Sequence, residues 1–135
     1  TPVTVTPDDA NYLGAVGAVV IEKQVSADGT NWFDADDPTG PVILAGSNVY
    51  FRVAVTNNST GGLAATVDLS DQIIQGSDSP HDFTFGGNQT TTIAAGQTVY
   101  SDVITDTALA GQNEDRASAT ATVTDGTNTT PVTVT

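Results

Sequence analysis

The sequence predicts an all-β protein, an immunoglobulin-like antiparallel β-sandwich of about seven strands with an extra N-terminal strand or linker. Three observations predict it. Thr is the commonest residue and the apolar residues are mostly Val, Ala and Ile, a set that is stiff at χ1 and suits a pleated, half-buried surface. Several segments alternate apolar and polar with period two, and no 3.6-residue period persists. Turn signals recur about every dozen residues. A closed barrel would show the same periodicity.

Taken along the chain, Val19–Val25 (VVIEKQV) reads as the first strand, followed by the polar, acidic loop Ser26–Gly40. Ala45-Gly46 turns into Asn48–Thr56 (NVYFRVAVT), the clearest strand, with Val49, Phe51, Val53 and Val55 on one face. Asn57–Gly62 is a turn by composition, and Ala64–Ser70 alternates again, with Ala65, Val67 and Leu69 inward. A looser segment carries Phe83 and Phe85. Thr90–Ile93 and Thr98–Ile104 are two further strands, and Arg116–Thr124 places Ala117, Ala119, Ala121 and Val123 on one face.

Charge and composition exclude several classes of function. The net charge of −13 leaves Lys23, Arg52 and Arg116 as the only Lys and Arg residues, too few to contact phosphates, so no nucleic-acid partner is expected. Docking onto anionic lipid fails on the same ground, and no apolar run is long enough for membrane insertion. The chain has no Cys, hence no disulfide or thiolate site, which leans towards a prokaryotic or archaeal exterior. No signal-peptide pattern opens the sequence at Thr1, so an internal or processed boundary is expected there.

Thr1–Thr6 and Thr130–Thr135 both read TPVTVT. Self-similarity at a fixed spacing marks a repeat array, and the repeating unit would be residues 1–129. Residues 1–14 are then a linker or the terminal strand of a preceding copy or neighbour, and residues 15–135 the sandwich. Thr1, Val3, Val5, Thr130, Val132 and Val134 are the expected assembly-strand residues. Low complexity in Thr and Val would also produce such a match, and separate subunits could use one of the two strands for donor-strand exchange.

Val20–Asp37 (VIEKQVSADGTNWFDADD) and Gly46–Asn58 (GSNVYFRVAVTNN) resemble the DUF11-like, immunoglobulin-fold surface repeats of giant exported bacterial and archaeal proteins. Val67–Asp71 (VDLSD), Ile93–Thr98 (IAAGQT), Ala110–Thr120 (AGQNEDRASAT) and the linker-like Asp8–Tyr12 (DDANY) extend the resemblance over nearly the whole chain. It departs at Asp9, where Pro is usual, and at an insert around Ile74–Thr84. The resemblance implies a spacer or stalk in adhesins and fibres, often with structural Ca²⁺, and no catalysis.

Among residues with chemistry, His81 beside Asp82 does not make a triad, which requires convergence in space rather than adjacency in sequence; a solvent-exposed loop histidine is expected. Calcium is the one expected cofactor, because Ca²⁺ takes six to eight oxygen ligands. Asp34, Asp36 and Asp37 supply carboxylates in one loop, and Asp8, Asp9 and Asn11 form a second cluster before the first strand. No EF-hand loop is present. Trp32-Phe33 reads as a core plug where a loop crosses the sandwich end, the alternative being a sugar-stacking platform. Asn57, Asn58, Asn88 and Asn128 stand in glycosylation sequons within predicted turns.

The expected function is therefore a non-enzymatic, extracellular structural module: a repeat of a cell-surface adhesin or filament, linked end to end with neighbouring copies and rigidified by Ca²⁺. The alternative is a carbohydrate- or surface-binding module at an adhesin tip, with surface glycans as partners.

Overall fold

The computed structural model describes residues 1–135. It contains eight strands: β1 (Val19–Ser26), β2 (Asn48–Asn57), β3 (Ala64–Gln75), β4 (Thr90–Ile93), β5 (Thr98–Tyr100), β6 (Ile104–Thr107), β7 (Glu114–Thr124) and β8 (Thr129–Val132). They form two antiparallel sheets. One runs β1-β2-β5, with β6 also on β2; the other runs β4-β3-β7-β8. The fold is thus an immunoglobulin-like sandwich with two separate sheets.

Period-two alternation sets the core directly. Val49, Val53 and Val55 of β2 are buried, facing Ala65, Val67 and Leu69 of β3, Ile93 of β4, and Ala121 and Val123 of β7. Burying one such Val, Leu or Ile side chain contributes roughly 1.5–3 kcal/mol. Polar partners line the outer faces, where Thr56 pairs with Thr98 and Thr66 with Thr92 through their hydroxyls.

The expected strand Thr98–Ile104 is broken. β5 and β6 pair with different stretches of β2, and Ser101 lies at the break. Its hydroxyl accepts the Val53 N–H at 2.8 Å, while its own N–H donates to the Val53 carbonyl at 2.9 Å. The break therefore leaves no buried backbone group orphaned. β3 runs five residues further than its alternation suggests, to Gln75, and ends at Gly76, whose φ is 102°. A side chain there would meet both that left-handed backbone and Asn113.

The segment after Gly76 returns across the sandwich edge and buries Phe83 and Phe85. Asp102 holds this return in place, accepting hydrogen bonds from Thr84 Oγ1 and the Gly86 and Gly87 N–H groups at 2.8–2.9 Å. Asn57, fully buried, ties three loops together. Its Nδ2 donates to the Leu63 and Ile93 carbonyls and its Oδ1 accepts the Ser59 N–H.

Residues 1–14 carry no regular structure and are exposed. The chain first docks at Val16–Ala18, through hydrogen bonds with Asn58, Ser59 and Thr60. Gly17 there lies so close to Val132 and Val123 that any side chain would collide with them.

Candidate functional site

The inward rows that make the core do not stay apolar to their ends. On β1, Val19, Ile21, Lys23 and Val25 share one face by parity, which puts an ammonium where the pattern calls for an aliphatic residue. The row Ala65, Val67, Leu69 on β3 continues to Asp71, and the row Val123, Ala121, Ala119, Ala117 on β7 continues to Asp115. β3 and β7 pair so that Asp71 sits opposite Ala117 and Ile73 opposite Asp115, placing the two carboxylates diagonally on one inner face. Lys23 reaches them from the other sheet, with Nζ 2.9 Å from Asp71 Oδ1 and in direct contact with Asp115 Oδ2.

His81 completes the cluster from the edge-crossing segment. Its Nδ1 lies 3.0 Å from Asp115 Oδ2 and 3.3 Å from Asp71 Oδ2, its Nε2 lies 3.0 Å from Asp106 Oδ2, and its backbone N–H donates to Asp71 Oδ2 at 2.9 Å. The reading of His81 as a solvent-exposed loop residue is corrected: its side chain is 7% exposed. Aromatic rings close the site. Lys23 Nζ is 5.1 Å from the Phe51 ring centroid and 5.0 Å from that of Phe83, and the His81 and Phe51 centroids are 4.6 Å apart.

The electrostatics follow from this geometry. Hydrogen bonds to Asp115 first, then to Asp71 and Asp106, raise the His81 pKa to about 10 against the opposing effect of burial, so the ring is an imidazolium at neutral pH. Burial pushes Asp71 upward, but the hydrogen bonds from His81 and Lys23 together outweigh it and hold the carboxyl at about 2. Its side chain is fully buried, whereas that of Asp115 is 14% exposed. Asp71, His81 and Asp115, and Asp78, His81 and Asp106, are the two groups of acidic and histidine side chains whose ligand atoms lie within 4.8 Å of one another. Two cations, Lys23 and His81, already neutralise the inner carboxylates, so the inner group is unsuited to a metal ion.

The residues expected to bind calcium lie elsewhere. Asp8, Asp9 and Asn11 are in the exposed N-terminal segment, and Asp34, Asp36 and Asp37 are exposed in the loop after β1. Asp34 and Asp36 approach Glu22: burial first, and then these two charges, push the Glu22 carboxyl upward. Trp32 does not plug the core, which corrects that expectation. It lies on the outer face of the β1-β2-β5 sheet, where the Arg52 guanidinium stands 4.3 Å from the ring centroids of both Trp32 and Tyr100. Arg52 belongs to the outward row of β2, opposite in parity to Val53 and Val55. Among the sequons, Asn58, Asn88 and Asn128 are exposed, but Asn57 is 0% exposed with its amide already donating twice. Asn57 is therefore no glycan acceptor in the folded chain.

The two identical hexamers have different fates. Thr130, Pro131 and Val132 pair with Val123, Thr122 and Ala121 of β7. The chain then crosses to the other sheet, where Val134 bridges Val19 in parallel and Thr135 exchanges backbone hydrogen bonds with Val19 and Ile21. Val132 and Val134 pack against the core. In Thr1–Thr6, by contrast, Val3 and Val5 are 86% and 82% exposed, and no residue of the hexamer pairs with a strand.

Comparison of the chain with protein-family models, curated proteins and solved structures finds no match in any of the three.

Proposed function

We propose that the chain is a structural repeat module of an extracellular surface adhesin or filament, joined end to end with neighbouring copies of itself. One observation carries this reading. Thr130–Thr135 fills a strand position that seals the sandwich, while the identical Thr1–Thr6 has the same side chains and no partner. A Thr-Pro-Val-Thr-Val-Thr segment has too little apolar area to fold alone and needs a neighbouring edge for its backbone groups. In a tandem array Thr1–Thr6 is that sealing strand for the copy before. The chain directions agree: β1 and Val134 run parallel, so the chain leaves pointing along the direction in which β1 entered. The resemblance of Val20–Asp37 and Gly46–Asn58 to exported surface repeats supports the same reading.

Truncation tests it. Removing Thr1–Thr6 should leave folding and melting temperature unchanged. Removing Thr130–Thr135 should lower the melting temperature and open a slot that the Thr1–Thr6 strand of a second chain fills, giving head-to-tail oligomers by light scattering. Removing both hexamers should abolish those oligomers. If loss of Thr1–Thr6 unfolds the protein, or loss of Thr130–Thr135 leaves a stable monomer, the tandem reading fails.

A second reading has its own observation. Trp32, Arg52 and Tyr100 form a stacked platform on the outer sheet face, the kind of surface on which a sugar ring stacks. Glycan-array binding lost on Trp32→Ala would favour an adhesin-tip module over a spacer. For calcium, the crowding of Glu22 by Asp34 and Asp36 is the feature that a bound cation would relieve. Millimolar Ca²⁺ should then raise the melting temperature by mass action, and Asp34→Asn with Asp36→Asn should remove that response.

A further inference from the structure

We propose that Lys23 and Asp115 are joined by an intramolecular isopeptide bond that the folded chain forms on itself, with Asp71 moving the protons and His81 polarising the carboxyl group. The inference stands on the inter-sheet cluster and is independent of the tandem reading.

The geometry supplies what amide condensation lacks in water. Lys23 Nζ touches Asp115 Oδ2 and sits 2.9 Å from Asp71 Oδ1, so nucleophile, electrophile and proton carrier are held together by three strands of two sheets. Such pre-positioning replaces a bimolecular encounter. The rings of Phe51 and Phe83 flank the amine and shield its inner side from water, the product whose abundance otherwise drives the amide back to acid and amine. A cluster meant only to fill space would not need these groups, since aliphatic side chains would fill it without the cost of desolvating ions.

The two aspartates are not equivalent. Asp71 is fully buried and has both oxygens committed, Oδ1 to Lys23 and Oδ2 to the backbone N–H of His81. It is anchored between the amine and the histidine, as a proton carrier must be. Asp115 Oδ2 is the atom at which Lys23 and His81 Nδ1 converge. Asp115 also borders the cleft between the Asp34–Ile43 loop and the ends of β1 and β7, through which a released water leaves.

The step balances with no added reagent. The lone pair of the deprotonated Lys23 Nζ attacks Cγ of Asp115, forming the C–N bond. Charge on the tetrahedral oxygens is stabilised by the His81 Nδ1–H at 3.0 Å. Two of the three ammonium protons pass, through Asp71, to one Asp115 oxygen; the C–O bond breaks and that oxygen departs as water. The third proton remains on the amide nitrogen, and Asp71 returns to its starting state. The bond ties β1 to β7 across the sandwich. Tension applied between the chain ends then bypasses residues 24–114, which suits a load-bearing module.

Mass spectrometry of the intact, folded chain tests this. The wild-type protein should weigh one water less than its sequence. After denaturation, trypsin should fail to cut at Lys23 and should release residues 1–52 joined to residues 53–116, since Lys23, Arg52 and Arg116 are its only cleavage sites. Asp115→Asn should form the same cross-link with loss of one ammonia instead. Lys23→Arg should keep full mass, and Asp71→Asn should slow the mass loss after refolding at least tenfold, both with the circular dichroism of the folded sheet. A folded wild-type chain of full mass would overturn the proposal. So would a lost water that maps to a succinimide at Asp28-Gly29 or Asp125-Gly126, or an Asp71→Asn chain that cross-links at the wild-type rate.

Discussion

The two halves of the layer between the sheets are built from the same strands and filled in opposite ways. Around Val53, Val55, Val67 and Ile93 the layer is aliphatic and closed. Towards the other end of β1, β3 and β7 the same inward rows present Lys23, Asp71 and Asp115, with His81 laid against them. Both halves leave no buried side-chain polar atom without a partner. The difference lies in what each half tolerates. Aliphatic packing is non-directional and independent of pH, whereas the charged half holds only while every partner keeps its place and its proton. A sandwich that needed only stability would extend the first solution to both ends; the second points to chemistry or load.

The comparison breaks most severely at the aliphatic end. Val53 has no exposed side-chain area, and Val53→Asp places a carboxylate there beside Lys23, its cross-strand neighbour, whose ammonium is already held by Asp71 and Asp115; burying that extra charge costs several kcal/mol. That is a large share of the roughly 5–15 kcal/mol that holds a domain together. Far-UV circular dichroism should report an unfolded chain at room temperature, and a well-folded Val53→Asp protein would show that the aliphatic half is not the main support. At the charged end, Asp71→Ala leaves Lys23 and His81 facing Asp115 and Asp106 with one carboxylate missing. Breaking a buried pair in this way costs about 3–5 kcal/mol, readable as a lower urea midpoint. An effect below about 1 kcal/mol would place the cluster with surface ion pairs instead.

The same contrast explains what could be read in the sequence. The aliphatic half was legible because Val49, Phe51, Val53 and Val55, or Ala65, Val67 and Leu69, alternate cleanly, and parity alone orients them. Parity also carried the signal for the charged half, since Lys23, Asp71 and Asp115 fall in step with those rows. The signal was obscured because an isolated charge in an alternating strand ordinarily marks its solvated face or its end. His81 lay beyond reach altogether: its burial depends on how the segment after Gly76 folds back, and no periodicity describes a loop. Trp32 failed for a related reason, because its partner Arg52 belongs to the outward row and long-range stacking leaves no local pattern. The hexamers were legible as a duplication, while their unequal pairing was settled only by which sheet edges lie open.

The pH profile sharpens the comparison furthest, because only the charged half holds a group whose proton affinity folding raises above neutrality. Hydrogen bonds to Asp115 and then to Asp71 and Asp106 raise the folded pKa of His81 to about 10, against about 6.5 in an unfolded chain. A raised pKa means that the folded state holds the proton more tightly, so this stabilisation is complete below about pH 6.5 and declines as pH rises towards 10. Urea midpoints should therefore fall over that window, and His81→Gln should flatten the profile. The isopeptide bond modifies this in a definite direction. Once Asp115 becomes an amide it loses its charge, and the largest influence raising His81 is weakened. The Lys23→Arg chain, in which Asp115 stays a carboxylate, should keep His81 protonated to a higher pH than the cross-linked wild type, as followed by the ring-proton NMR shifts. Equal titration midpoints in the two chains would mean that Asp115 carries the same charge in both, and that the charged half of the sandwich is an ion-pair cluster with no covalent bond.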